Sequence, residues 1–216
     1  MSLDVNPDFS VSRDLDDVLD LRPRRLSEDE VRRLEGHAAE ILGALGLDLT
    51  GEETALTPRR FVQALIEATE GFEGDPKLVR TFDSPSRSRL SAVNQIVEGP
   101  IPFYSLCEHH ALPFGGEAYL GYVADERLLG ISKLSRLVHV FSRRFTLQER
   151  VGRQIADALE AILQPSGVAV FLRARHSCTR LRGVRDATSE TTTTVWRGAY
   201  ETSPALRSEF LTLGPR

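Results

Sequence analysis

Two short clusters carry most of the residues able to do metal or proton chemistry. One is Cys107-Glu108-His109-His110; the other is His176-Ser177-Cys178. The chain has 2 cysteines and 5 histidines in 216 residues, and both cysteines and three of the histidines fall in these clusters. Cysteine and histidine three positions apart cannot face the same way on an extended strand, so the first cluster must turn if both are ligands. In the second, positions i and i+2 of a strand share a face, so His176 and Cys178 are expected to project together. Three donors such as Cys107, His110 and Cys178 suit Zn²⁺ with a fourth position left for water, the catalytic rather than the structural pattern. Zinc lowers the pKa of that water toward about 7. His109 and His176 then remain for general acid and base work. Idle thiols, or a Cys107–Cys178 disulfide, are the competing readings.

Charge adds a third feature. Lys133, Arg136, Arg143, Arg144, Arg150 and Arg153 crowd one stretch, and Arg175, Arg180, Arg182 and Arg185 surround the second cluster. Basic residues on helices are ordinarily a solvated face. Beside metal-type motifs they suggest an anionic substrate, because arginine suits phosphate. The whole chain is mildly acidic, with 27 Lys and Arg against 31 Asp and Glu, a formal charge of −4. That argues against a generally basic nucleic-acid binder. Two cysteines are too few for a disulfide-stapled secreted scaffold. No apolar run approaches the roughly 18 residues of a membrane span, and no secretory signal is visible, so the expected compartment is the cytoplasm.

The elements that must position these residues are readable in outline. Residues 1–26 are polar and proline-interrupted and are expected to form a flexible arm. Residues 27–90 are expected to be a helical unit with a connecting loop. Ser27-Glu28-Asp29-Glu30 is a capping box that opens the first helix, and Thr57-Pro58 opens the second. The loop covers 73–90, with a short helix near Leu78. Residues 91–216 are expected to form the catalytic domain. There, Val93–Val97 and Pro102–Leu106 read as one interrupted strand, and Glu117–Val123 as the next. Ser132–Phe145 reads as a helix, and Thr146-Leu147-Gln148-Glu149 as the capping box of a helix running to about Leu163. Gly167–His176 and Thr188–Trp196 read as strands, and Ser203-Pro204 starts a last short helix. The order indicates an α+β fold.

Five motifs, in order and at matching spacing, closely resemble the GTP cyclohydrolase I family. They are Cys107 to Gly116, Gly130 to Arg136, Gln148 to Arg150, His176 to Cys178 and Arg182 to Ser189. The resemblance runs from about residue 27 to residue 213. It implies the T-fold, an antiparallel four-stranded sheet with two helices, plus an N-terminal helical extension. It also implies a homodecamer with active sites at subunit interfaces, and conversion of GTP and water to 7,8-dihydroneopterin triphosphate and formate. That reaction begins pterin and folate biosynthesis.

By the same resemblance Cys107, His110 and Cys178 hold Zn²⁺. His176 acts as acid and base near N7 of guanine, His109 assists proton transfers, and Ser132 helps the ribose rearrangement. Glu149, with Gln148 beside it, anchors guanine; a role as a capping-box member competes for Glu149. Lys133, Arg136, Arg182 and Arg60 match positions near the triphosphate. The family usually has lysine three positions after that last arginine, and this chain has Gln63. Rival readings are a relative of the same scaffold acting on another purine or pterin, and a metal cluster that only staples the fold.

Overall fold

The structure, a computed structural model, describes residues 17–78, 82–83, 95–125 and 127–215. The expected elements at 84–94, including Val93 and the serine-rich part of the loop, lie outside the described residues, as do residues 1–16 of the expected arm. The first two helices are α1 (Glu28–Ala44) and α2 (Thr57–Ala68), followed by a 3-10 turn at Glu70–Glu73 and the short strand β1 (Phe82–Asp83). The α1 capping box is formed as read. Ser27 Oγ accepts from the Glu30 amide at 3.3 Å, and the Ser27 amide donates to Glu30 Oε2 at 2.8 Å. Pro58 opens α2, where its missing N–H has no helical partner to lose.

The sheet follows. Its long strands are β2 (Gln95–Cys107), β3 (Pro113–Val123), β6 (Gly167–His176) and β7 (Thr191–Gly198), each antiparallel to the next. A fifth, two-residue strand, β5 (Phe145–Thr146), runs parallel to the end of β2, giving the order β5-β2-β3-β6-β7. A two-residue strand, β4 (Arg127–Leu128), pairs with β1. Two helices, α3 (Ile131–Ser142) and α4 (Gln148–Leu163), cover one face. Single turns α5 (Ser177–Arg180) and α6 (Ala199–Thr202) and a last helix, α7 (Pro204–Leu213), complete the chain.

Period-two patterning explains β6. Val168, Val170, Leu172 and Ala174 enter the main core with Leu134, Phe141, Ile155 and Leu159 of α3 and α4. Ala169 faces the other way, into a second cluster with Tyr119, Tyr200 and Phe210 beneath α7. The strand is therefore apolar on both faces where both are covered. Further along, the face not covered by α7 carries Arg173 and Arg175 beside Glu117 and Glu190.

Several boundaries differ from the sequence reading, some because a distant segment competes and one because of a local turn. The helix expected to reach Phe145 ends at Ser142, since Phe145 and Thr146 pair with Leu106 and Cys107. The capping box expected at Thr146 does not form. Thr146 is committed to that pairing, its carbonyl accepting from the Glu108 amide at 3.2 Å, and α4 starts at Gln148 after an uncapped Leu147. Strand β7 begins at Thr191 rather than Thr188. Asp186 Oδ1 accepts from the amides of Thr188 and Ser189, at 3.0 and 3.1 Å, which curls the chain before it can extend. Strand β3 also starts earlier than expected, at Pro113, and β2 crosses its Gly99-Pro100 interruption with a shifted register between Glu98 and Ile101.

In the described part of the expected arm, Val18, Leu19 and Leu21 reach the core while Asp17, Arg22, Pro23, Arg25 and Leu26 stay exposed. Leu19 is buried, and the reason lies with Arg144, which is only 2% exposed. Its guanidinium donates to the carbonyls of Leu19 (2.8 Å), Asp20 (3.2 Å), Gly71 (2.9 Å) and Val140 (2.7 Å). It also lies over the rings of Phe72 and Phe141. Burial pushes the guanidinium down to about 10, so it stays charged at neutral pH. One charge thus ties the N-terminal segment, the 3-10 turn and the end of α3 together. Among the described residues, no helix is long and apolar enough to cross a membrane.

Candidate active site

Cys107 ends β2 and the chain turns at once. The Ala111 amide donates to the Cys107 carbonyl at 2.8 Å, the Cys107 amide to the Leu112 carbonyl at 2.8 Å, and Ala111 takes a left-handed φ of 53°. A non-glycine residue there costs about 1–2 kcal/mol, which this tight hairpin imposes. The turn brings His110 back: its Nδ1 stands 3.9 Å from Cys107 Sγ. The third donor arrives across the sheet. β3 pairs with both β2 and β6, and β6 ends at His176 beside Phe114. Cys178 then sits on the single turn α5, not on the strand, so the expected strand alternation with His176 does not hold: the backbone coils at Ser177.

The donor atoms of Cys107, His110 and Cys178 lie within 4.8 Å of one another, and both cysteines are free thiols. Tetrahedral ligands at roughly 2.0–2.3 Å from an ion stand about 3.3–3.8 Å apart, so small side-chain movements would close this set on a metal. Burial, and then the neighbouring Cys107, raise the Cys178 thiol above its ordinary value, with Arg182 opposing. A metal taking this site must displace that proton, the usual behaviour of thiolate ligands.

His176 lies beside the cluster. Its ring stacks on Phe114 with centroids 4.4 Å apart and planes 5° from parallel. Burial lowers its pKa, opposed by the Glu149 carboxylate. That shift favours the neutral ring, the form a base needs. His109 is exposed, with its ring edge-on to His110. Glu108 is clamped by Arg150, whose hydrogen bond holds the carboxyl below the usual range. Glu149 is exposed in the first turn of α4 and, without the Thr146 box, is committed to no cap. Gln148 is buried, and its side chain faces His176 and the sheet.

Ser132, Lys133 and Arg136 share a cleft of about 480 Å³ with Pro76 and Lys77. Arg136 is paired with Asp75 at 2.7 Å. Desolvation raises the Asp75 carboxyl, but hydrogen bonds from Arg136 and the Lys77 amide outweigh it, and the net shift is downward. Arg60 is exposed and reaches the Glu53 carbonyl at 3.4 Å, while Gln63 donates to Glu67 at 3.0 Å. Arg182 is exposed beyond α5. Within this chain the cleft does not include the Cys107, His110 and Cys178 cluster. Of the basic residues noted in the sequence, Arg143, Arg144 and Arg150 are used internally, on Glu70, on backbone carbonyls and on Glu108. Sequence reasoning missed Phe114, whose place opposite His176 is a matter of register, and Lys77, whose only sequence signal is an isolated charge in a loop.

The fold and cluster together define an α+β protein with two cysteines and a histidine converging close to a half-buried histidine two residues before Cys178. Residues 34–214 match the family model of GTP cyclohydrolase I. Relatives named "GTP cyclohydrolase 1" include that of Deinococcus radiodurans, 38% identical over 85% of this chain and 83% of its own length. That of Chlorobaculum tepidum is 38% identical over 93% of this chain and 88% of its own. That of Dehalococcoides mccartyi is 41% identical over 80% and 90%. The chain belongs to the GTP cyclohydrolase I family and is an enzyme of that family.

Proposed function

We propose that the protein converts GTP and water to 7,8-dihydroneopterin triphosphate and formate, using Zn²⁺ held by Cys107, His110 and Cys178. The observation that carries this reading is the convergence of those three donors within 4.8 Å, with His176 two residues before Cys178 in the chain. Zinc bound there supplies Lewis acidity that brings a water toward ionisation near neutral pH. His176 takes and returns a proton near N7 of the guanine ring. Exposed His109 is free to move protons at the ring-opening and ribose steps, and Ser132, on the cleft wall, assists the ribose rearrangement.

Glu149 accepts from N1–H and the exocyclic amine of guanine. A carboxylate offering two oxygens to two donors suits that edge. Gln148 lies just beneath, its amide turned toward His176. Lys133, Arg136, Arg182 and Arg60 receive the triphosphate. Arg136 exchanges its Asp75 partner for phosphate when substrate enters.

The sheet supports an assembly of the T-fold type. Among the described residues β7 is an edge strand, and β2 is covered on its outer side only at Leu106–Cys107. A second copy can extend such edges, and a site whose cleft and metal cluster are separate in one chain is completed by a neighbour. The reading includes a homodecamer in the cytoplasm at the first step of pterin and folate synthesis, and an organisation into residues 1–26, 27–90 and a catalytic domain of 91–216. The test is incubation of zinc-loaded protein with GTP. Formate and a pterin that fluoresces after oxidation are expected. No product from protein of verified metal content overturns the reading.

A further inference from the structure

Gln148 is a buried polar residue in a position where substrate cannot account for its contacts. Its Nε2 donates to the carbonyls of Leu172 (3.2 Å) and Thr191 (3.0 Å), with Thr193 Oγ1 at 3.2 Å. Carbonyl oxygens only accept, so the amide nitrogen must face them and the amide oxygen must face the other way. That oxygen stands 2.9 Å from His176 Nε2. An amide oxygen also only accepts, so His176 Nε2 must carry its proton. In the neutral ring the lone pair is then left on Nδ1. The stack of the imidazole on Phe114 fixes the plane of the ring, and the Gln148 contact sets which edge faces the amide. The strand carbonyls of β6 and β7 thus set the amide, and the amide sets the imidazole.

We propose that Gln148 is a positioning residue that locks His176 in the Nε2–H tautomer, making Nδ1 the atom that exchanges protons with the substrate. It does this instead of binding guanine. The proposal deepens the reading above and rests on it for the identity of the substrate.

The experiment uses full-length, zinc-loaded protein with ¹⁵N-labelled histidine. Ring-nitrogen correlation spectra are recorded at about pH 8, well above the ordinary histidine value of about 6.5. His176→Gln identifies the His176 signals. In the wild type, His176 is expected as the pure Nε2–H tautomer. Gln148→Met, similar in volume but without the acceptor, is expected to give a mixture of tautomers. With GTP it is expected to lose about tenfold or more in kcat, as when an outer hydrogen-bond partner is removed, with KM changed by less than about threefold.

A wild-type His176 carrying its proton on Nδ1 overturns the proposal, and this holds even if Gln148→Met fails to fold. So does a variant with unmoved His176 signals and a raised KM at constant kcat, the result expected of a guanine ligand. If the wild type leaves GTP unchanged, the substrate reading fails while the tautomer spectra still decide the role of Gln148.

Discussion

Replacing Gly116 with alanine tests the packing that holds the two halves of the metal cluster together. A Cβ at this position would lie 1.9 Å from the Arg173 carbonyl oxygen and 2.8 Å from Ala174 Cα. Both are backbone atoms of β6, so no side-chain rotation relieves the contact. Real Cβ contacts essentially end at 3.0 Å, so the strands must part by at least 3.0 − 1.9 = 1.1 Å. A ladder bond of about 2.9 Å becomes about 4 Å and is lost. Two such bonds at about 1 kcal/mol each, with overpacking strain of about 1–3 kcal/mol, give a destabilisation of about 3–5 kcal/mol.

Gly116 pairs with Ala174, just before His176 and Cys178, whereas Cys107 belongs to β2 on the far side of β3. The same displacement is several times the roughly 0.2 Å tolerance of metal–ligand distances, so zinc affinity should fall by tenfold or more. Urea unfolding read by circular dichroism and zinc competition against a chromophoric chelator measure the two effects. Gly36, exposed on α1 with nothing within 4 Å of an added Cβ, is the control. Gly36→Ala should stabilise by about 0.5–1 kcal/mol, as alanine does in an exposed helix. The reasoning is refuted if Gly116→Ala unfolds within about 1 kcal/mol of the parent and binds zinc as tightly.

Two further outcomes follow from other parts of the molecule. Arg144→Met removes a charged donor from four carbonyls, and should cost about 3 kcal/mol or more in urea unfolding, with Arg144→Lys recovering part of it. The segment from Asp17 to Arg24 should become sensitive to limited proteolysis in the same variant. Removing zinc with a chelator should expose thiols: loaded protein should react slowly with a thiol reagent, and chelated protein should titrate both Cys107 and Cys178. Equal reactivity before and after chelation would contradict their role as ligands.

How much was legible in the sequence depended on the range of the signal. Ser27 with Glu30, and Pro58 after Thr57, open their helices through contacts within one turn, and both starts were readable. Gly167–His176 was bounded correctly because its apolar run is bracketed by a turn and a helical coil. The Thr146 signal was local and lost, because pairing with Cys107 offers the same backbone a better partner. Glu149 is freed by that outcome. The family motif pointed to Gln148 as a substrate residue, but it could not reveal that the carbonyls of Leu172 and Thr191 occupy its amide.

By itself the sequence determined which atoms are available for chemistry: two thiols, the imidazoles near them, and the arginines and carboxylates that follow. It also determined the helices whose caps are local and the strands whose period is unbroken. Tertiary structure decided which of these atoms meet. The β2–β3–β6 register brings Cys178 to Cys107 and His110, stacks His176 on Phe114 and hands it to Gln148, while Arg144 is withdrawn to hold the N-terminal segment. The physical reason is that side-chain identity is a property of one residue. Register, burial and the direction of a buried amide are set by strands and carbonyls many positions away.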